Sequence, residues 1–230
     1  MALLLAVLAR PVEAGGPMPF KAVFTLEAHG TTAARTTLEL TAAVNGFTLI
    51  SHTEPVGLMA LIRSEQIRER SQLERHGASW RPVTYSYRRH GGSKERRSDA
   101  RFDWSAGEVA GSAKGQPFTY AVSRGMLDPL SYLLALMRDA ADDAPQRRYA
   151  IAGNSVVRNY RFDAVPGEPV VSEAGRFETV GWRRQGRKNR VTTVFLAPSL
   201  EHFPVRIHHR EKDGTELTLT LQDLVRQRGP

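Results

Sequence analysis

Residues able to do chemistry are scattered along this chain and form no complete catalytic set. Seven histidines invite a metal reading, and the pair His208-His209 is the first place to look. Consecutive strand side chains point to opposite faces, so these two rings cannot chelate one ion. His202 approaches His208 only if the Phe203-Pro204 corner folds them together, and no metal site is expected. Serine hydrolysis calls for a nucleophile on a strained turn such as Gly-x-Ser-x-Gly, supported by a His and a carboxylate. The chain has no such turn, and Ser131 falls inside an expected helix, three residues after its cap. Asp142-Asp143 reads as a solvated loop. Asp99 and Asp103, four residues apart, share a strand face but stand too far apart for one glycosidic bond unless the strand curves. No catalytic residue is assigned.

Binding chemistry is better represented. The densest charge cluster is Arg183-Arg184-Gln185-Gly186-Arg187-Lys188-Asn189-Arg190, at an expected hairpin tip beside Trp182. Arginine next to an aromatic ring can dock phosphate and sugar; the competing reading is a solvated hairpin end whose charges discourage edge pairing. Arg88-Arg89-His90 with Lys94-Glu95-Arg96-Arg97, around Gly91-Gly92, has the same two readings. The anion reading gains if both tips share one rim. An apolar set complements them: Tyr132, Leu133, Leu134, Leu136 and Met137 would line an acyl pocket with Phe24, Leu26, Leu40, Leu49 and Phe195, or else make an ordinary core. The candidate ligand-binding residues are therefore Tyr132, Leu133, Leu136, Met137, Trp182, Arg183, Arg184 and Arg187.

The elements that must position these groups are mostly strands. Apolar and polar residues alternate with period two, broken at short intervals by turn dipeptides, the pattern of an antiparallel meander. Thr37-Leu38-Glu39-Leu40-Thr41 and Phe47-Thr48-Leu49-Ile50-Ser51 flank Asn45-Gly46, a strong hairpin signal. Further turns are expected at Gly91-Gly92, Ser105 to Glu108, Lys114 to Pro117, Pro166-Gly167, Gly186 and Asp213-Gly214. One segment departs from the alternation. Asp128 is an acidic N-cap, Pro129 stands at the first helical position, and apolar residues surround most of the run to Arg138. A buried helix over about residues 128–138 follows. Gly57 to Ile62 reads as a shorter helix or an apolar loop, which period alone does not decide. The predicted fold is mainly β: an antiparallel meander forming a curved sheet, half-barrel or barrel, packed on that one helix.

Composition sets the surroundings. The 230 residues are 41% hydrophobic and 24% charged, enough for a sizeable core. Ala2-Leu3-Leu4-Leu5-Ala6-Val7-Leu8-Ala9 followed by Val12-Glu13-Ala14 reads as a signal peptide over residues 1–14, possessing no basic residue before its apolar run. Residues 15–230 are then expected to form a single β-rich exported domain with no transmembrane span. There is no cysteine, which excludes disulfides, thiol catalysis and a lipoprotein anchor. The net charge of +8 survives cleavage, because the removed segment holds one Arg and one Glu. Such a balance favours anionic lipid or glycan of the cell envelope as partner. Export disfavours nucleic acid, no cofactor is implied, and no oligomeric state follows.

The order of landmarks resembles a known family. The Phe20-Lys21-Ala22-Val23-Phe24 strand, Trp80-Arg81-Pro82-Val83-Thr84-Tyr85, Phe102-Asp103-Trp104, Leu127-Asp128-Pro129-Leu130-Ser131, Leu196-Ala197-Pro198 and Phe203-Pro204-Val205-Arg206-Ile207 before an Asp-Gly turn are similar to the domain of unknown function 3108 family of Gram-negative envelope proteins. The resemblance spans nearly all of the expected mature chain. It implies a periplasmic, mostly β protein and carries no activity with it. A weaker, fold-level similarity is to lipoprotein-carrier half-barrels that shelter acyl chains against a helix. Together these readings predict a non-enzymatic periplasmic binding or carrier protein for a lipid or anionic envelope component. The alternative is an envelope-assembly interaction or scaffold protein, and an envelope hydrolase ranks last.

Overall fold

The computed structural model describes residues 17–226 apart from 63, 78, 93 and 94. The expected signal segment, residues 1–14, and Lys94 of the second basic cluster lie outside the described residues. Eight strands come first: β1 (Phe20–Ala28), β2 (Thr31–Ala43), β3 (Gly46–Pro55), then a short helix α1 (Leu58–Ile62), β4 (Gln66–His76), β5 (Ser79–His90), β6 (Arg96–Asp103), β7 (Glu108–Ala113) and β8 (Gln116–Ala121). Helix α2 (Tyr132–Asp139) separates them from β9 (Gln146–Ile151), β10 (Arg158–Val165), β11 (Val170–Ser172), β12 (Gly175–Phe177), β13 (Val180–Gln185), β14 (Val191–Ala197), β15 (Phe203–Arg210) and β16 (Glu216–Arg226).

Fourteen of these strands make one sheet in the order β8-β7-β6-β5-β4-β3-β2-β1-β16-β15-β14-β13-β10-β9, while β11 and β12 pair separately. Every ladder of the large sheet is antiparallel. The first and last strands pair at its centre, with Phe20 opposite Arg226. The two open edges are therefore β8 and β9, which flank α2 in sequence. The sheet curls so that its edges approach without closing: the Tyr120 hydroxyl on β8 donates to the Asn154 carbonyl at 3.0 Å and accepts from the Gly153 amide at 3.0 Å, just past β9. Leu127 adds a parallel bridge to Ile151. The mainly β, antiparallel, curved-sheet expectation is met.

Alternation sorts the side chains. Phe20, Ala22 and Phe24 of β1, Leu38 and Leu40 of β2, Leu49 of β3, Leu221 of β16 and Val205 of β15 are buried in one core. Phe195 departs from its expected inward place. It lies in register with Gly181 and Arg206 on the face opposite Trp182 and Val194, and Arg206 pairs there with Glu168 at 3.0 Å.

Asp128 caps the turn that leads into the helix, but the α-helix itself starts one turn later than the sequence indicates. Asp128 Oδ1 accepts from the Leu130 and Ser131 amides, both at 2.8 Å, and the Ser131 hydroxyl accepts in return from the Asp128 amide at 3.0 Å. This reciprocal cap satisfies donors that a helix start leaves free. Regular α geometry runs from Tyr132 to Asp139, one turn shorter than residues 128–138. Gly57 to Ile62 resolves to the short α1. The Asn45-Gly46 hairpin is displaced by one residue: Ala43 pairs with Gly46, so Val44 and Asn45 form the loop, and neither has a positive φ. Gly46 answers a different need, since a Cβ there would stand 1.8 Å from the Leu73 carbonyl oxygen of β4. None of the described helices is long and apolar enough to cross a membrane.

Candidate functional site

Strands that run up and down give the sheet two ends. One holds the start of β1, the end of β16 and α2; the other, called the rim here, holds the β1–β2, β3–β4, β5–β6, β13–β14 and β15–β16 connections.

The helix end carries an open cleft of about 500 Å³. Phe20, Leu73 and Trp80 form its strand wall and Leu134, Ala135 and Met137 its helix wall, with Arg138, Glu201 and Arg226 at the mouth. Arg226 is engaged, donating to Glu201 at 2.7 Å and to the Leu200 carbonyl at 2.7 Å. Among the described residues Arg138 pairs with its neighbour Asp139 alone, at 2.7 Å, and is largely exposed. Of the sequence-predicted helix residues, Leu134 and Met137 line this cleft. Leu133 and Leu136 are buried in the core, and Tyr132 packs inward against Tyr160 and Phe162 at centroid separations of 5.4 and 5.8 Å. An eight-residue helix laid across a sheet mouth must bury one face, and these three side chains are on it.

The predicted arginine cluster stands at the other end. Trp182 is buried under the Arg147 guanidinium, 5.6 Å above its ring. Arg183 points outward in register with Asp163, and Arg187 is exposed at the tip. Arg184 turns inward: its guanidinium stacks over Tyr160 at 4.1 Å and Nη2 donates to Thr192 Oγ1 at 3.0 Å. Thr192 Oγ1 lies 2.8 Å from His209 Nδ1, and His209 Nε2 lies 3.4 Å from Glu211, which also accepts from Arg190 at 2.7 Å. Glu211 can only accept, so a neutral ring carries its proton on Nε2 facing that carboxylate, and Nδ1 then accepts from the Thr192 hydroxyl. Burial, with Arg184 and Arg190 opposing Glu211, lowers the His209 pKa. This hydroxyl, imidazole and carboxylate stand in the order of a nucleophilic triad. Thr192, however, is 6% exposed and its oxygen is already held by Arg184, so the array serves to lock β13, β14 and β15 together. Tyr132 and Arg184 thus meet through Tyr160, whereas Met137 and Arg187 stand at opposite ends.

The sequence reading missed an acidic group inside the sheet. Glu69 and Ser71 face inward from β4, in register with Tyr87 and Tyr85 of β5. The Tyr85 hydroxyl donates to Glu69 at 2.5 Å, and the Ser71 hydroxyl donates to Asp128 Oδ2 at 2.5 Å. Burial pushes the Glu69 carboxyl up to about 7, against the lowering effect of Tyr85, with Asp128 adding to the rise. Asp128 is raised as well, again by burial first. The available signal was Ile67-Glu69-Ser71-Leu73, a row that breaks apolar alternation at its centre. Asp99 and Asp103 are separately engaged, Asp99 with Arg88 at 2.6 Å and Asp103 capping its own turn. Among the described residues no group of three or more His, Cys, Asp or Glu could hold a metal ion.

With this geometry in view, comparison with known proteins settles the family. The family model described as "Protein of unknown function (DUF3108)" matches residues 21–222. The chain belongs to the DUF3108 family. None of the curated proteins matches it. Among solved structures, this DUF3108 chain is similar to a β-barrel-like protein of domain of unknown function DUF1849 from Brucella abortus. The TM-score is 0.60 at 11% identity, over 92% of this chain and 98% of that one. At that identity the likeness concerns the fold.

Proposed function

We propose that this DUF3108 protein is a non-enzymatic binding protein of the bacterial periplasm whose helix-end cleft takes an amphiphile, with an apolar chain along Leu134 and Met137 and an anionic group at Arg138. The observation that carries the reading is the cleft itself: about 500 Å³, walled by Phe20, Leu73, Trp80 and the outer face of α2, with arginines at its mouth. Sites for small apolar ligands have this size and this mixture of apolar wall and few polar groups. The apolar run near the N-terminus supports export, and the engaged states of Thr192, Asp99 and Asp103 argue for binding over hydrolysis.

The test has two parts. Protein isolated from a periplasmic extract is examined by native mass spectrometry and by extraction of bound lipid, and a fluorescent fatty acid is titrated into the delipidated protein. Lipid retained by the parent, with at least tenfold weaker probe binding in Leu134→Glu and Met137→Glu, is the expected result. A parent that retains no lipid and does not bind the probe overturns the proposal. Copurification of a stoichiometric protein in place of lipid turns the reading to a scaffold.

A further inference from the structure

The rim has a composition that the cleft does not use. Strand parity brings the two basic hairpin tips, β5–β6 and β13–β14, to the same end of the sheet, together with the β7–β8 and β15–β16 turns. Arg96, Lys114, Arg187, Lys188, Arg210 and Lys212 are all exposed there, and none has an ion-pair partner among the described residues. Between them stands an apolar anomaly. Leu58 and Leu61 of α1 are 78% and 83% exposed, and Val156 and Val157, in the β9–β10 connection at the same end, are 54% and 38% exposed. The segment leaving α1 is seated on a basic tip: the Ser64 hydroxyl donates to the Gly91 carbonyl at 2.7 Å, and Glu65 pairs with Arg89. The leucines are thereby held beside cationic side chains.

We propose that this rim is a docking face for an anionic phospholipid bilayer, with Leu58 and Leu61 entering the interfacial layer and the rim arginines and lysines meeting lipid phosphates. Exposed apolar side chains ringed by cations have the arrangement of surface-bound membrane segments, where insertion and electrostatic attraction add. Two observations favour a bilayer over a folded protein partner. The apolar residues project from two separate connections, β3–β4 and β9–β10, and a fluid surface meets both without a matching shape. Among the described residues, unpaired basic side chains outnumber the unpaired acids of the rim, such as Asp213 and Glu27, and the net charge of +8 complements an anionic surface. The face lies at the opposite end of the strands from the cleft, so docking does not rest on ligand binding and leaves the cleft open to the aqueous side.

The experiment is flotation of the purified full chain with vesicles of phosphatidylcholine alone and of phosphatidylcholine mixed equally with phosphatidylglycerol, at low and at raised salt. The expected result is partitioning with the anionic vesicles only, weakened by salt. At least a tenfold loss is expected in Leu58→Asp/Leu61→Asp and in Arg96→Glu/Lys114→Glu/Arg187→Glu/Lys188→Glu, with the cleft variant Met137→Glu floating like the parent. Near-ultraviolet circular dichroism establishes that each variant is folded; all substituted rim positions are exposed, and Leu58→Ser/Leu61→Ser is the milder replacement should the aspartates unfold α1. Equal binding to both vesicle types, absence of binding, or rim variants that float like the parent overturns the proposal. Loss of flotation confined to Met137→Glu overturns it also and assigns the lipid contact to the cleft.

Discussion

Glu69 occupies a place in which an ionised carboxylate is poorly tolerated, and this gives the molecule a pH dependence that can be worked out from one residue. Its pKa is about 7 in the folded chain against an ordinary 4.5. Between those values the folded state holds a proton that the unfolded state has lost, so stability falls as pH rises from about 4.5 to about 7 and levels off above. Glu69→Gln keeps an acceptor for the Tyr85 hydroxyl and removes the ionisation. It should match the parent at pH 4 and exceed it at pH 8 by up to about 3 kcal/mol, the worth of that interval at roughly 1.4 kcal/mol per pH unit, measured by urea unfolding across the range. A flat difference between the two proteins would remove Glu69 as the cause. Asp128 makes a second contrast. Asp128→Asn retains the Oδ1 cap of Leu130 and Ser131 and should cost little, whereas Asp128→Ala loses the cap and strands the buried Ser71 hydroxyl, at a combined cost of about 3 kcal/mol. Beyond the cap, the only local signal was the Ile67-Glu69-Ser71-Leu73 row, whose alternation breaks at its centre. Glu69 stands in an Arg-Glu-Arg run, and its surroundings come from strand β5, which brings Tyr85, and from the turn before α2, which brings Asp128.

At the scale of elements, strands and their turns were legible because alternation and turn residues are local properties. Lys114-Gly115 and Gly214 do adopt positive φ where the turns were expected. The Trp80 to Tyr85 and Phe102-Asp103-Trp104 landmarks prove to be one structural unit, with the Trp104 indole donating to the Pro82 carbonyl at 2.7 Å and the Arg81 guanidinium 4.9 Å above its ring. Their recognisability is thus a matter of packing between β5 and β6. Where an element depends on a distant one, the local reading slipped. Gly46 belongs to the strand, kept small by β4, and the helix face that lines the cleft could not be chosen before the sheet was in place. Gly153 shows the same dependence at the seam. Its φ is +131°, and an added Cβ would stand 2.8 Å from both Pro129 Cδ and Tyr85 Cδ1. Gly153→Ala should therefore destabilise by roughly 3 kcal/mol and speed hydrogen exchange at Leu127 and Ala152, whose amides donate to the Ala150 and Leu127 carbonyls and hold the β9 edge. A thermal shift within a degree of the parent would show that the seam tolerates the methyl group.

For the whole molecule, the order of strands makes a prediction of its own. β1 and β16 pair at the centre of the sheet, so Phe20 and Arg226, close to the two ends of the described residues, are adjacent and the open seam lies between β8 and β9. A circular permutant that joins the ends by a short linker and opens the exposed Asp142-Asp143 loop should fold with near-parental stability. Removing β16 should instead abolish cooperative unfolding, because it divides the sheet in two. Denaturant curves for both chains check this, and a stable β16-deleted protein would contradict the topology.

The sequence by itself determined the class of structure, most strand positions, the Asp128 cap ahead of the helix and the absence of cysteine chemistry, since these rest on backbone sterics, alternation and composition acting over a few residues. Tertiary structure alone decided that Glu69 and Asp128 share an interior, that Met137 faces a cleft while Tyr132, Leu133 and Leu136 do not, and that both basic tips and the α1 leucines occupy one rim. The physical reason is range. A side chain's environment is set by which strand curls over it, and pairing between β1 and β16, nearly 200 positions apart, is fixed by burial of the whole core and leaves no local trace.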